Sequence, residues 1–339
     1  MRIAVDAMGG DFGTEVNVRG ALEALELDST LDLYLVGVAS SIRSELKKLG
    51  RGEVAGITLV EATEVISMED HAAAAIRKKK DSSIHVGLRM VREGKADAFI
   101  SAGNSGAVMA GALFLVGRIG NLERPAIVVK LPSASGYVSV LDVGANVDCR
   151  ASHLADFAIM GSAYANLIEG IKAPRIGLLS NGSESHKGNE LTRQTHELLS
   201  ANKGIHYIGY IEGYDIFNDS ADVVICDGFV GNVVLKAAEG IADAFVHWFR
   251  AQLKGNILGL VGVVLLRNVL RGFRKKFDYQ PYGAAPLLGI DGMVLISHGK
   301  STPVAIRNGI LNAKKGVEQR LVEKISGALV PRAAEGVKS

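Results

Sequence analysis

The chain has 339 residues, 48% of them hydrophobic, and a formal net charge of +2. This length and apolar content permit a large buried core, in one large domain or two intimate ones, and the near-neutral balance excludes the global basic field that marks a nucleic-acid partner. Forty glycines against seven prolines favour an α/β protein with many tight strand-to-helix turns, while two cysteines, Cys149 and Cys226, are too few for a disulfide framework and sit in no metal-ligand spacing.

The chain opens on an apolar run, Arg2 to Val5, that reads as a short buried strand and breaks into an acidic, glycine-rich loop. The opening residues lack the pattern of a secretory signal, so the cytoplasm is the expected compartment. Glu15 to Leu27 has helical spacing, with Val18, Leu22 and Leu25 on one face and charges opposite. Short, mostly uninterrupted apolar runs follow at Leu31 to Val36, Ala98 to Ile100, Ala126 to Val129, Val138 to Leu141, Ile176 to Leu179, Val223 to Ile225 and Met293 to Ile296. Strands buried on both faces have this character. Leu154 to Ile168 reads as a helix through Phe157, Ile159 and Tyr164. The alternation predicts an α/β fold with a doubly wound, mostly parallel sheet. No repeat or linker divides it, so a single domain is expected over residues 1–330, with a loose polar tail over 331–339.

Six of the predicted strands end in small polar loops. "IAV" leads into Asp6-Ala-Met-Gly9-Gly10-Asp11, "AFI" into Ser101-Ala-Gly-Asn104-Ser105-Gly106, and "VSVL" into Asp142-Val-Gly-Ala-Asn146. "IGLL" leads into Ser180-Asn-Gly-Ser-Glu184-Ser-His186-Lys187-Gly188, "VVI" into Cys226-Asp227-Gly228-Phe-Val-Gly231-Asn232, and "VLI" into Ser297-His298-Gly299. In an open parallel sheet the carboxyl ends all point one way, so these loops are expected to line one crevice. Glycines let backbone approach a ligand, and the helix after each loop offers unpaired N–H groups and a positive dipole end, which favours an anion. Asn104, Ser105 and the N–H groups before Gly106 suit a phosphate or oxyanion, and Lys187 supplies a full charge.

Other readings of these residues stand beside that one. Asp6, Asp142 and Asp227 can orient a substrate, or cap the next helix and tie down a loop. Cys226 reads as a small buried hydrophobe rather than an acyl carrier. His186 and His298 are candidate proton donors in a polar crevice, whereas His71, His85, His153, His196, His206 and His247 are given no role. Gly50-x-Gly52-x-x-Ala55 follows a helical stretch and is no dinucleotide fingerprint; His298-Gly-Lys-Ser-Thr302 is no P-loop, because Val294 stands where its first glycine belongs.

The segment "NILGLVGVVLLRNVLRGFRKKF" is both greasy and basic. Its apolar run, Ile257 to Leu266, is half of the roughly 20 residues that a spanning helix needs. On a helical wheel Leu266, Val269, Leu270, Phe273 and Phe277 share one face, and Arg267, Arg271, Arg274 and Lys275 the other. An amphipathic hairpin over 250–277 is therefore expected, and it suits an interfacial membrane anchor, a subunit contact or an acidic protein partner.

"VDAMGGD", "SAGNSGA", "DVGANVD", "KGNE", "CDGFVGN", "PYGAAPLLGIDG" and "SHGKS" occur in the order and at the spacing typical of one family. From Met1 to about Val330 the chain resembles the bacterial phosphate acyltransferases of phospholipid synthesis, the acyl-ACP:phosphate acyltransferases. Ser105 stands where a threonine is usual, Ala284 where a glycine is usual, and Ser183 and Ser185 within what is elsewhere a glutamate cluster. The resemblance implies an α/β/α sandwich related to phosphotransacetylases and isocitrate-type dehydrogenases, working as a homodimer in the cytoplasm and held peripherally at the membrane. It implies formation of acyl phosphate from fatty acyl-acyl carrier protein and inorganic phosphate. A membrane acyltransferase then uses the product to acylate glycerol 3-phosphate. No metal, cofactor or nucleic acid is called for.

Phosphate is already an anion at neutral pH, so alignment, at about 7–11 kcal/mol, and an oxyanion donor, at about 3–4 kcal/mol, are expected to carry the reaction. Asn104, Ser105, Gly106 and Lys187 are assigned to phosphate, and Asn232 with the N–H groups near Gly231 to the thioester oxyanion. Asp6, Gly9, Gly10, Asp11, Ser101, Asp142, Asn146, Glu184, Gly188, Asp227 and Gly228 are expected to line the crevice. The thiolate takes its proton from His186, His298 or water. Two other functions compete: a phosphotransacetylase-like enzyme using acyl-CoA, and a non-catalytic scaffold for lipid enzymes at the membrane.

Overall fold

The computed structural model describes residues 1–184, 186–254, 257–269, 272 and 283–335. Among them are the strands β1 (Arg2–Asp6), β2 (Asp32–Gly37), β3 (Ile57–Glu61), β4 (Ala98–Ser101), β5 (Ala126–Pro132), β6 (Tyr137–Leu141), β7 (Arg175–Leu179), β8 (His206–Ile211), β9 (Val223–Ile225), β10 (Ala284–Leu288) and β11 (Met293–Ser297). They form one sheet in the order β3-β2-β1-β4-β11-β10-β5-β6-β9-β7-β8. The helices are α1 (Gly13–Leu27), α2 (Ala39–Lys48), α3 (Ala72–Lys78), α4 (Ser83–Arg92), α5 (Ser105–Gly111), α6 (Ala151–Tyr164), α7 (Glu190–Ala201), α8 (Gly228–Leu253), α9 (Ile257–Leu265), α10 (Pro303–Glu318) and α11 (Leu321–Glu335).

Successive strand residues face opposite sides of a sheet, and here both sides are apolar. Ile3 and Val5 enter one core cluster and Ala4 another; Ala98 and Ile100 are parted from Phe99 in the same way. Residues of α1, α2, α6, α7, α10 and α11 join the first cluster, and residues of α3, α4 and α5 the second. A third cluster joins β5, β6, β8 and β9. The result is the expected α/β/α sandwich around a mostly parallel sheet, because strands buried on both faces have no polar alternation to display.

Strand direction is less uniform than the alternation predicts. β1 pairs in parallel with β2 and β4, β2 with β3, and β4 with β11. β10 then runs antiparallel to both β11 and β5, and β5 antiparallel to β6. β6, β9, β7 and β8 are parallel among themselves. These successive reversals leave β6 to β9 pointing the opposite way to β1 to β4 and β11.

The apolar and basic segment differs from its expected form. Its first arm starts far upstream: α8 is 26 residues long, and its buried residues are Gly228 and Gly231 at its start. Val230, Val234, Ala237, Ile241, Phe245 and Trp248 fall along one side at helical spacing, and Asn232, Lys236, Glu239, Asp243, His247 and Arg250 along the other. Ile241 is 71% and Trp248 65% exposed. Leu266 and Arg267 are also exposed, whereas Leu270, Arg271, Phe273, Arg274 and Lys275 lie outside the described residues, as does Ser185. No helix among the described residues is long and apolar enough to cross a membrane. At the other end α11 continues to Glu335, so the first residues of the segment read as a loose tail are helical.

Candidate active site

The strand reversals divide the six polar loops into two groups. The loops after β1, β4 and β11 emerge from one edge of the sheet, and those after β6, β9 and β7 from the edge at which β1, β4 and β11 begin. The single crevice expected from a uniformly parallel sheet is therefore corrected: Asp6 and Asn104 belong to one group, and Lys187 and Asn232 to the other. Antiparallel pairing of β10 and β5 with their neighbours is the physical cause.

In the first group the chain folds back on itself. Ser101 Oγ donates to Asp6 Oδ2 at 2.6 Å, the Met8 N–H donates to Asp6 Oδ1 at 3.0 Å, and the Asp11 N–H reaches the Gly299 carbonyl at 2.8 Å. Burial pushes the Asp6 carboxyl up, against the opposing hydrogen bonds from Ser101, Ser83, Met8 and Gly9. Gly9 is forced by close packing, since a Cβ there would stand 2.5 Å from the Gly103 nitrogen; Gly10, with φ +87°, is forced by its turn. Asn104 is not free to meet phosphate. Its Nδ2 donates to the carbonyls of Ser67, Met68 and Asp70 at 3.1, 3.3 and 3.0 Å, and its Oδ1 caps α5 by accepting from the Ala107 N–H at 3.0 Å. Ser105 and Gly106 follow in that short helix, where Gly106 is pressed on Ala72. His298 is exposed, and its Nδ1 accepts from the Lys300 N–H at 3.0 Å.

The second group is organised by Asp142, whose side chain is buried. Its Oδ1 accepts from the N–H groups of Ile127, Gly144 and Ala145 at 3.1, 3.2 and 2.9 Å. Its Oδ2 accepts from the Asn146 N–H at 2.7 Å and from Asn146 Nδ2 at 2.9 Å. Burial raises the Asp142 carboxyl all the same. This aspartate ties down the loop. Asp227 caps α8 by accepting from the Val230 N–H at 2.9 Å. Gly228 and Gly231 let the first turn of α8 pack on the Asp142 loop: a Cβ at Gly228 would stand 2.7 Å from the Asn146 carbonyl oxygen. Asn232 extends from that turn, with its side chain 3.7 to 3.9 Å from where a Gly144 Cβ would be. Cys226 is buried, with its thiol pushed well up by burial, as the reading of it as a small hydrophobe requires.

The Lys187 loop follows β7, the strand beside β9, from which α8 starts. Lys187 is half-buried; its stem packs on Gly182, where a Cβ would meet Lys187 Cγ at 2.7 Å and Glu184 Oε2 at 3.0 Å. Asn181 Oδ1 accepts from the Gly188 N–H at 2.9 Å, and Asn189 caps α7 through the Thr192 N–H at 2.9 Å. His186 and Glu184 are exposed in the same loop. Among the described residues no group of three or more His, Cys, Asp or Glu side chains could hold a metal ion.

Two further residues shape these loops without a sequence signal. His153 is buried; its Nδ1 accepts from the Arg150 N–H at 3.1 Å, its Nε2 meets Glu123 Oε2 at 2.7 Å, and Glu123 also pairs with Arg150. Burial, then the charges of Arg150 and Arg124, hold the imidazole below its ordinary value. Asn146 Nδ2 also reaches the Pro125 carbonyl at 2.7 Å, which ties the residue before β5 to the Asp142 loop. Asn17, buried on α1, donates to the carbonyls of Gly9 and Gly13 at 2.8 and 2.9 Å. No local pattern announces the His153–Glu123 contact, which spans 30 residues.

Comparison with known proteins places this geometry. The model of the fatty acid synthesis protein family matches residues 1–324. A phosphate acyltransferase of Pelotomaculum thermopropionicum is 48% identical over 330 residues, covering 97% of this chain and 95% of the relative. One from Geotalea uraniireducens is 49% identical over 329 residues, covering 96% and 94%. Among solved structures, a phosphotransacetylase from Streptococcus pyogenes superposes with a TM-score of 0.64 at 19% identity, over 95% of this chain and 94% of that one. At that identity the likeness speaks for the fold alone.

Proposed function

The chain belongs to the fatty acid synthesis protein family, whose similar members are phosphate acyltransferases, and from that premise we propose that this transferase makes acyl phosphate from fatty acyl-acyl carrier protein and inorganic phosphate at the carboxyl ends of β6, β9 and β7. The product feeds the acylation of glycerol 3-phosphate by a membrane acyltransferase. One observation carries the choice of edge: two capped helices, α7 and α8, start from neighbouring strands, and Lys187 stands half-buried beside the first of them. Helix N-termini and an ammonium group together suit a phosphate.

In this reading Lys187 and the N–H groups before α7 hold phosphate against the thioester. A phosphate oxygen attacks the carbonyl carbon, and the tetrahedral oxyanion is met by Asn232 and the N–H groups near Gly231. The C–S bond then breaks. The thiolate takes its proton from His186, which shares the loop of Lys187. Alignment supplies about 7–11 kcal/mol and each oxyanion donor about 3–4 kcal/mol. Asp142 and Asp227 act by fixing the two loops.

The product, a mixed anhydride, is destroyed by water, so delivery at a bilayer has a physical rationale. The exposed apolar faces of α8 and α9 support a homodimer contact and peripheral attachment to an anionic membrane. Lys187→Ala tests the site. Acyl-phosphate formation should fall by about 10²-fold or more, with thermal stability unchanged. Retained turnover would remove Lys187 from the mechanism.

A further inference from the structure

Residues 67–71, Ser-Met-Glu-Asp-His, run between Ile66, which is buried in the core, and α3. They lie over the carboxyl edge of β1, β4 and β11. One buried side chain grips them: Asn104, 8% exposed, donates from Nδ2 to the carbonyls of Ser67, Met68 and Asp70. The stretch is otherwise tied to itself and to the end of α3. The Ser67 N–H and Lys79 Nζ both donate to Asp70 Oδ2, at 2.8 and 2.6 Å. Met68 reaches toward Gly299. A Cβ built on Gly299 would stand 3.2 Å from the Met68 methyl carbon and 3.2 Å from Asp11 Oδ1. Met68 itself is 45% exposed, so its methyl group covers Gly299 without being locked into the core.

We propose that residues 67–71 form a strap that covers Gly299 beside Asp11, with Asn104 as its latch. Ile66 and Ala72 are the hinges, since the first is anchored in the core and the second begins a helix. The segment is mostly exposed and is held from outside by three hydrogen bonds to one amide and by the Lys79–Asp70 ion pair, which is the profile of a low-cost local opening. The proposal stands apart from the acyl-transfer reading, and its test reads access rather than turnover.

Asn104→Ser keeps a good N-cap for α5 and removes the amide that makes all three hydrogen bonds. In a Gly299→Cys background, maleimide labelling of the new thiol should speed up at least tenfold when Asn104→Ser is added. Cleavage after Glu69 by a glutamate-specific protease should rise by a similar factor. Cys226 is buried and the Cys149 thiol is pushed up to about 12, so the parent chain gives a low background. Equal labelling rates with and without the latch would overturn the proposal. So would faster cleavage with unchanged labelling, because the strap would then move without covering anything. If Asn104→Ser does not fold, Asn104→Asp serves, since aspartate also caps and turns its second oxygen toward the three carbonyls.

Discussion

Gly231 meets the backbone of Asp142 so closely that a Cβ on it would stand 1.8 Å from the Asp142 carbonyl oxygen and 2.9 Å from Cys226 Sγ. The first atom is a backbone oxygen of the residue whose carboxylate accepts from four surrounding backbone N–H groups and the Asn146 amide, so no flexible group can yield. Gly231→Ala should therefore lift the start of α8 off the loop. Overpacking of this kind costs about 1–3 kcal/mol, or a fall of about 1–4 °C in thermal midpoint for a chain of this length. Turnover should fall more steeply than stability, because Asn232 rides on the same turn. A wild-type melting curve would mean that α8 can slide.

A second prediction concerns acid. Lys314 on α10 donates to Asp28 at the end of α1, with Thr30 adding its hydroxyl and N–H, and the Asp28 carboxyl is held down to about 2. Its folded value lies below the ordinary one, near 3.9. The stabilisation is thus present above about pH 4 and is lost as pH falls toward 2. Lys314→Met should return Asp28 to the ordinary carboxylate range in an NMR titration of its side chain. An unmoved titration would assign the whole effect to Thr30.

The strands legible in the sequence are those flanked by core on both sides. β3 and β8 are half-exposed edge strands, and β10 carries Pro286 within a five-residue run, so none presents an unbroken apolar signal. Direction leaves no local mark at all: an apolar run reads the same up or down, so the reversal through β10 and β5 was hidden. α8 escaped because Ala237, Gly240 and Ala242 dilute its apolar face. At the candidate site the caps were readable, as Asp227 shows, because they act within three residues. The grip of Asn104 on Ser67 spans 37 residues and could only be seen in the fold.

The two loop histidines can now be told apart. His186 follows β7 beside Lys187, whereas His298 follows β11 at the opposite edge of the sheet. If the leaving thiolate is protonated by a side chain, His186→Gln should lower turnover by about 10²-fold, within the range usual for a general acid. His298→Gln should change it less than threefold. The reverse ranking, measured as acyl-phosphate formation at saturating phosphate, would move the reaction to the other edge.

Apolar side chains are exposed both along α8 and at Leu266 and Val269 after α9. Ile241 and Trp248 lie partway along a helix rooted in the body at Gly228, whereas Leu266, 54% exposed, lies beyond α9 in the greasy and basic segment. A second copy suits the former, since two such helices can pack face to face; lipid suits the latter, next to Arg267. Loss of one buried leucine removes about 1.5–3 kcal/mol of apolar transfer, or roughly 10- to 100-fold in binding. Leu266→Glu should therefore abolish flotation with anionic vesicles while sedimentation in solution stays unchanged. Ile241→Glu should shift sedimentation toward the single chain and leave flotation weakened at most. If Leu266→Glu alters sedimentation and leaves flotation intact, the segment after α9 is the subunit contact and the lipid assignment falls.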